Sequence, residues 1–436
     1  MWKTIRDKVI HSRFVQNVGI LMAANFVGVA LGFAQGILVA RWLGPELYGI
    51  AALVMIYPAL VYSLFNTRST EISIKYLSEF HARGERDSVL AMCKLGYAVD
   101  FGTAGLTFLL VLGTASWAAV HVAHRPETVG LIAIYAAAFL PYGLIGTSYA
   151  VLSTVGNFRA IAVLVVITEV LRVTLVAGMV VAGWGVSGVI WGNAIARVLS
   201  GLFYGFTALK QMKGTWGASW LQGDWSFLKG RRREISSFLA YNYLNTLLGM
   251  IPEQLDVILL GYFRNPLEVG YYRLAKSLGN TVGYLVTPLQ SVSYPELARL
   301  WGLRAQQAIR EKMRKFALHI GVPLGLAVLL AIPLVPFILP ALYGQAYRPA
   351  VIASQVLLLA SAIRITFFWL RPVYMAQGRI RHWILMNTAG VTLSILAYPA
   401  MIWQWGYIGL SILGPVRNLL HHSLALWFLG GKVSRK

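Results

Sequence analysis

The chain has 436 residues, 57% apolar and 12% charged, with a mean hydropathy of +0.64. A soluble domain carries about a quarter charged residues, so an ordinary soluble enzyme is excluded and a bilayer is the expected solvent. The net charge of +22 would suit nucleic acid in a soluble chain. In a membrane chain it reads instead as loop cations that set orientation, with no nucleic-acid partner.

Apolar runs of spanning length, roughly 20 residues each, occur near 17–40, 48–66, 95–120, 128–152, 160–183 and 186–208. No short apolar region with a small-residue cleavage site precedes the first, so no cleaved signal peptide is expected. Six more follow near 236–262, 268–292, 316–340, 350–374, 382–404 and 406–430. The expected architecture is an all-α polytopic membrane protein of about 12 helices, divided as a bundle over 1–208, a basic cytoplasmic linker over 209–233 and a second bundle over 234–436. The lone cysteine, Cys93, excludes an intramolecular disulfide framework and a multi-cysteine metal site.

With the N-terminus in the cytoplasm, 27 of the 38 Lys and Arg fall in inner segments and four, Arg41, Arg125, Arg264 and Arg348, in outer loops. That asymmetry places both termini inside. Two inner segments, 69–89 and 294–315, are read as amphipathic helices on the inner face, each after the second span of its set. The stretch "RWLGPELYGIAALVMIYP" at 41–58 has a worn counterpart at 262–279, "YFRNPLEVGYYRLAKSLG". In each, a proline (Pro45, Pro266) is followed four residues on by a glycine (Gly49, Gly270). Two sets in the same orientation imply parallel repeats with pseudo-two-fold symmetry, the plan of a two-bundle transporter.

Seven cations fall within spans: Arg172, Arg197, Arg273, Lys276, Arg364, Arg371 and Arg417. Four acids join them: Asp100, Glu169, Glu253 and Asp256. Seven such cations facing lipid would cost roughly 20 kcal/mol, so most are expected to face protein or a watery cavity. Arg197, Arg371 and Arg417 sit near span ends, where snorkelling lowers that cost. Glu169 and Arg172 are spaced for a local salt bridge, and Glu253 and Asp256 for pairing with Arg273 or Lys276. Cations outnumber acids, so Arg273, Lys276, Arg364, Arg371, Arg417 and Arg197 are candidate ligands for an anion, with arginine suited to a diphosphate. Asp100, Glu169, Arg172, Glu253 and Asp256 are candidates for structural pairing or for coupling to H+ or Na+. His319, His421 and His422 are read as packed or interfacial histidines.

The segments "LVARWLGPELYGIAAL" at 38–53 and "LDVILLGYFRNPLEVGYYRLAKSL" at 255–278, the latter with Asp256, Gly270 and Tyr271, resemble the paired hairpin signatures of bacterial polysaccharide flippases. These form the polysaccharide transporter branch of the MATE-like multidrug, oligosaccharidyl-lipid and polysaccharide exporter superfamily. The resemblance implies two six-helix bundles in the bacterial inner membrane, no nucleotide-binding domain and no cofactor beyond an ion or the membrane potential. It also implies carriage of a polyprenyl-diphosphate-linked glycan to the outer leaflet by alternating access, alongside membrane lipids and other polysaccharide assembly proteins. A drug or cation antiporter of the same superfamily is the alternative, though it would want acids in its cavity. A peptidoglycan-precursor flippase fits less well, because two further C-terminal spans typical of that group are not seen. Short outer loops without paired carboxylates argue against a glycan polymerase or ligase, and no Walker motif supports an ATPase domain.

Overall fold

The computed structural model describes the backbone of residues 2–67 and 69–433. It describes the side chains of 19–67, 69–226, 228–231, 233–237, 239–240, 243, 254–284 and 286–429. The described residues form helices and turns, with no strand among them. A chain that crosses lipid must satisfy its backbone within each segment, and the helix does this locally.

In chain order the helices are α1 (Trp2–Phe65), α2 (Ser69–Ala82), α3 (Arg86–His121), α4 (Val129–Ala137), α5 (Phe139–Tyr142), α6 (Leu144–Thr154), α7 (Phe158–Val181) and α8 (Gly185–Trp216). They continue as α9 (Arg232–Phe263), α10 (Pro266–Gly302), α11 (Gln306–Phe316), α12 (Val322–Ala331), α13 (Val335–Tyr343), α14 (Ala350–Thr366), α15 (Leu370–Ala376) and α16 (Ile380–Val433). Among the described residues, eight stretches are long and apolar enough to cross a membrane. Two of them are double: α1 is interrupted at Gly44, with φ 72°, and α16 at Gly406, with φ 56°. Only glycine enters that backbone region at low cost, so each marks a turn between two spans. Helices α9 and α10 complete the twelve. Helix α10 is long enough at 37 residues, but Arg273 and Lys276 lower its hydropathy.

Internal contacts divide the chain into two compact units. Unit 1 holds residues 1–42 and 54–254; unit 2 holds Leu43–Leu53 and Leu255–Lys436. The sequence places its breaks at 208 and 233, whereas the contact division falls between Gln254 and Leu255. Packing of the inner segment accounts for part of this difference. Lys94 donates to the Gly223 carbonyl at 2.9 Å, Trp220 packs its ring on Tyr97, and Leu228 joins a core with Tyr76, Phe80 and Leu90. The described part of 209–233 is therefore a packed element of unit 1.

The inner amphipathic segments also fold differently from expectation. Helix α2 buries Ile72, Tyr76, Leu77 and Phe80 against α3 and α6, so its apolar face meets protein. Residues 294–315 do not form one helix. Helix α10 runs on to Gly302, and the chain turns at Arg304, with φ 53°, before α11 starts at Gln306. A non-glycine residue in that region ends a helix rather than continuing it.

In unit 2 the repeated turns pack reciprocally. A Cβ on Gly49 would overlap the Pro266 carbonyl, and one on Gly270 would overlap the Pro45 carbonyl. Close approach of two backbones requires glycine at both places. Asn265 caps α10 by accepting from Glu268 N at 3.0 Å, and Pro266 occupies the first turn where its missing N–H is not needed.

Candidate functional site

Among the described residues of unit 1 the intramembrane charges balance and each has a partner. Asp100, on α3, is 6% exposed and accepts from Ser69 Oγ, Thr147 Oγ1 (2.7 Å) and Thr147 N (3.0 Å). The last contact caps the first turn of α6, so one carboxylate ties α2, α3 and α6 together. Glu169 and Arg172 form the expected i,i+3 pair at 2.5 Å on α7. Gly28 and Gly32 of α1 leave room for these two side chains, since a Cβ at either would crowd Glu169 or Arg172.

Arg197, the other unit 1 cation, sits in an aromatic nest. Its guanidinium lies 4.1 Å from the Phe139 ring centre, 4.6 Å from Tyr142 and 4.9 Å from Tyr135, and it donates to the Tyr135 hydroxyl at 2.9 Å. The Tyr62 ring lies tilted by 34° against Phe139, with ring centres 4.8 Å apart. The cause is a break in the fourth span, where Pro141 removes a backbone donor and the helix restarts at Leu144. Gly201 packs directly on the Pro141 carbonyl, which brings α8, and with it Arg197 one turn earlier, onto the broken segment.

Unit 2 is different in sign. Asp256 of α9 is 4% exposed and accepts from the Lys276 ammonium at 2.6 Å and the Tyr272 hydroxyl at 2.7 Å, both on α10. Arg417 of α16 lies near enough to act electrostatically on Tyr272 and Tyr398, and its stem packs over Gly390. Arg273 lies near enough to act electrostatically on the Tyr48 hydroxyl. The Arg364 guanidinium lies against Gly283, where a Cβ would displace it. His421 and His422, 6% and 7% exposed, pack with Trp383, as expected of packed histidines. The described residues in the apolar stretches of unit 2 include one carboxylate, Asp256, and four half-buried cations, Arg273, Lys276, Arg364 and Arg417. Four less one leaves a surplus of three positive charges.

The tenth span is interrupted like the fourth. Helix α14 ends at Thr366 and α15 begins at Leu370, with Gln290 donating to the Phe368 carbonyl at 3.3 Å. Arg371 is exposed beside this break and reaches Gln290 at 3.4 Å. Interrupted helices at corresponding positions of two repeats are the usual mark of a transport site.

The candidates are thus distributed unevenly. Arg197 belongs to unit 1 and the other candidate cations to unit 2, Arg371 is exposed, and the Glu253 side chain falls outside the described residues. Asp256 takes Lys276 as its partner. Sequence reasoning missed Tyr62, Tyr135, Phe139 and Tyr142. Their signal was Pro141 within an apolar run flanked by rings.

A family model described as "Polysaccharide biosynthesis protein" matches residues 14–301. The chain belongs to this family. No curated protein matches it in sequence. This polysaccharide biosynthesis family member is similar in structure to the inward-facing form of a multidrug resistance MATE family transporter of the MOP superfamily. The TM-score is 0.73 at 13% identity, covering 94% of this chain and 96% of that one. It is similar to the lipid II flippase MurJ in its inward closed conformation, with a TM-score of 0.74 at 13% identity over 94% and 87% of the two chains. The Vibrio cholerae MATE transporter VcmN in its bent form gives 0.58 at 16% identity over 96% of each chain. These likenesses show the MATE-like, twelve-helix fold. The polysaccharide biosynthesis family member is a multi-pass membrane protein with this fold.

Proposed function

We propose that the protein flips a polyprenyl-diphosphate-linked oligosaccharide from the inner to the outer leaflet of the bacterial cytoplasmic membrane by alternating access. The observation that carries this reading is the surplus of three cations in the apolar interior of unit 2. Positive charge held inside a membrane domain attracts an anion, and a forked guanidinium matches phosphate oxygens. Arg273, Arg364 and Arg417 are the residues assigned to the diphosphate. Lys276 contributes its charge while held by Asp256. Family membership supports a glycan as cargo.

Outward movement of an anion is favoured by an interior-negative potential. The gain is about 2.3 kcal/mol per charge per 100 mV, so a diphosphate could draw up to about 4–5 kcal/mol from the field. The potential alone can therefore bias the direction, with H+ or Na+ coupling as an additional route through the acids of the spans. Lipids and the other proteins of polysaccharide assembly are the partners this role requires.

The test is transport in reconstituted vesicles. A lipid-diphosphate oligosaccharide should cross when the protein is present, faster with an interior-negative potential on the donor side. Robust antiport of a cationic dye, with no movement of the glycolipid, would instead make the protein a drug or cation antiporter.

A further inference from the structure

We propose that the cavity at the outer end of unit 2 is a headgroup site for a zwitterionic phospholipid with a primary ammonium, of the phosphatidylethanolamine type. Such a site does not depend on the cargo the protein carries. All the residues that form it belong to unit 2. The cavity has a volume of about 500 Å³, within the range of small-molecule sites. It lies where the loop between α9 and α10 meets the Gly406 turn of α16, and Arg264, Glu268, Gln404, Trp405, Ile408 and Ile412 line it.

The cavity holds one charge of each sign, and each is anchored to backbone. Arg264 donates from Nε to the Ile402 carbonyl at 3.0 Å and from Nη2 to the Trp403 carbonyl at 2.7 Å. Glu268 Oε2 accepts from Tyr407 N at 3.1 Å. Gly406 admits that carboxylate, since a Cβ there would overlap Oε2. Among the described residues, Arg264 and Glu268 form no ion pair with each other or with a third group. Arg264 Nη1 and Glu268 Oε1 are left for a ligand that carries both signs. A guanidinium fork matches a phosphate, and a carboxylate accepts from an ammonium.

The apolar part of the cavity selects a lipid over a free zwitterion. Arg264 is one of the four cations in the outer loops, so the polar mouth lies at the outer interface. Trp405, 54% exposed, stands beside it, as rings do at headgroup depth. Ile408 and Ile412, four residues apart on α16, lead from this mouth along one helix face toward the hydrocarbon layer. An acyl chain can follow that face while its headgroup occupies the charged end.

The experiment is native mass spectrometry of the purified full-length protein in detergent, titrated with phosphatidylethanolamine or phosphatidylcholine bearing the same acyl chains. Both lipids have no net charge, so cations on the inner face treat them alike, but phosphatidylcholine has no ammonium N–H. Wild type should bind the first phosphatidylethanolamine about tenfold more tightly, the worth of one charge-assisted hydrogen bond. Glu268→Gln keeps an oxygen for Tyr407 N and removes the charge. This variant should still bind both lipids, with phosphatidylethanolamine no tighter than phosphatidylcholine. Diacylglycerol of the same chains, which offers Arg264 no phosphate, should bind more weakly than either. Phosphoethanolamine without chains, added in excess, should leave the lipid in place. Equal binding of the two lipids by wild type, or an undiminished preference in Glu268→Gln, would overturn the proposal. Loss of both lipids by that variant would also overturn it, by making Glu268 a clamp on the turn alone. Diacylglycerol bound as tightly as phosphatidylethanolamine would remove the headgroup from recognition, and displacement by phosphoethanolamine would rule out a lipid as the occupant.

Discussion

Lys276 Nζ lies 2.6 Å from Asp256 Oδ2, joining α10 to α9 through a pair whose side chains are 15% and 6% exposed. The Tyr272 hydroxyl and the Val257 backbone N–H also donate to this carboxylate, each at 2.7 Å. Breaking a buried pair from one side leaves an uncompensated charge, which costs about 3–5 kcal/mol. Lys276→Met alone should therefore lower the melting temperature of the detergent-solubilised protein substantially. Adding Asp256→Asn should recover most of the loss. Equal instability of the single and double variants would show that the pair is incidental.

The reciprocal turns make a second prediction. Gly49→Ala and Gly270→Ala each push a methyl group into a proline carbonyl. Overpacking of this kind costs about 1–3 kcal/mol. Both variants should show reduced thermal stability. Gly105→Ala, at a position where a Cβ would meet nothing, should not.

Asp100 predicts a third effect. Its three donors from Ser69 and Thr147 would be stranded by Asp100→Ala, at about 1–3 kcal/mol for buried unsatisfied groups. Asp100→Asn keeps one acceptor and should retain part of that stability. A coupling role for Asp100 would appear separately, as glycolipid transport lost in a variant that melts like the wild type.

On the inner face, Glu79 accepts from Arg231 at 2.7 Å and pairs with Arg83 at 2.8 Å. The Arg231 hydrogen bond holds the Glu79 carboxyl below its ordinary value of 4.5. A folded-state pKa below the unfolded one adds stability that is complete above pH 4.5 and is lost as pH falls through the folded value. The stability difference between wild type and Arg231→Gln should therefore shrink as pH drops below 4.5. A difference that stays constant from pH 7 to pH 3 would remove Glu79 as its source.

Much of the fold was legible because hydropathy reports spans directly, and Gly44 and Gly406 mark turns inside long apolar runs. The Glu169–Arg172 pair was legible because three residues bring two side chains onto one helix face. Asp256 could have chosen Arg273 or Lys276, and spacing alone does not say which of two nearby cations a different helix presents. The nest around Arg197 was least legible. It joins Tyr62 to residues 135–142 and 197 through a break at Pro141, and helical periodicity carries no information across such a break. The packing of 209–233 was hidden for a related reason, since a basic, polar composition conceals the few apolar anchors that fix it.

The most direct test of the account is flipping of a lipid-diphosphate oligosaccharide in vesicles containing wild type, Arg273→Gln, Arg364→Gln or Arg417→Gln, matched for folded protein. The account predicts that each neutralisation slows flipping by about tenfold or more, the loss of one charge-assisted phosphate contact, while Arg299→Gln on the inner face stays close to wild type. Wild-type flipping by all three interior variants would contradict it.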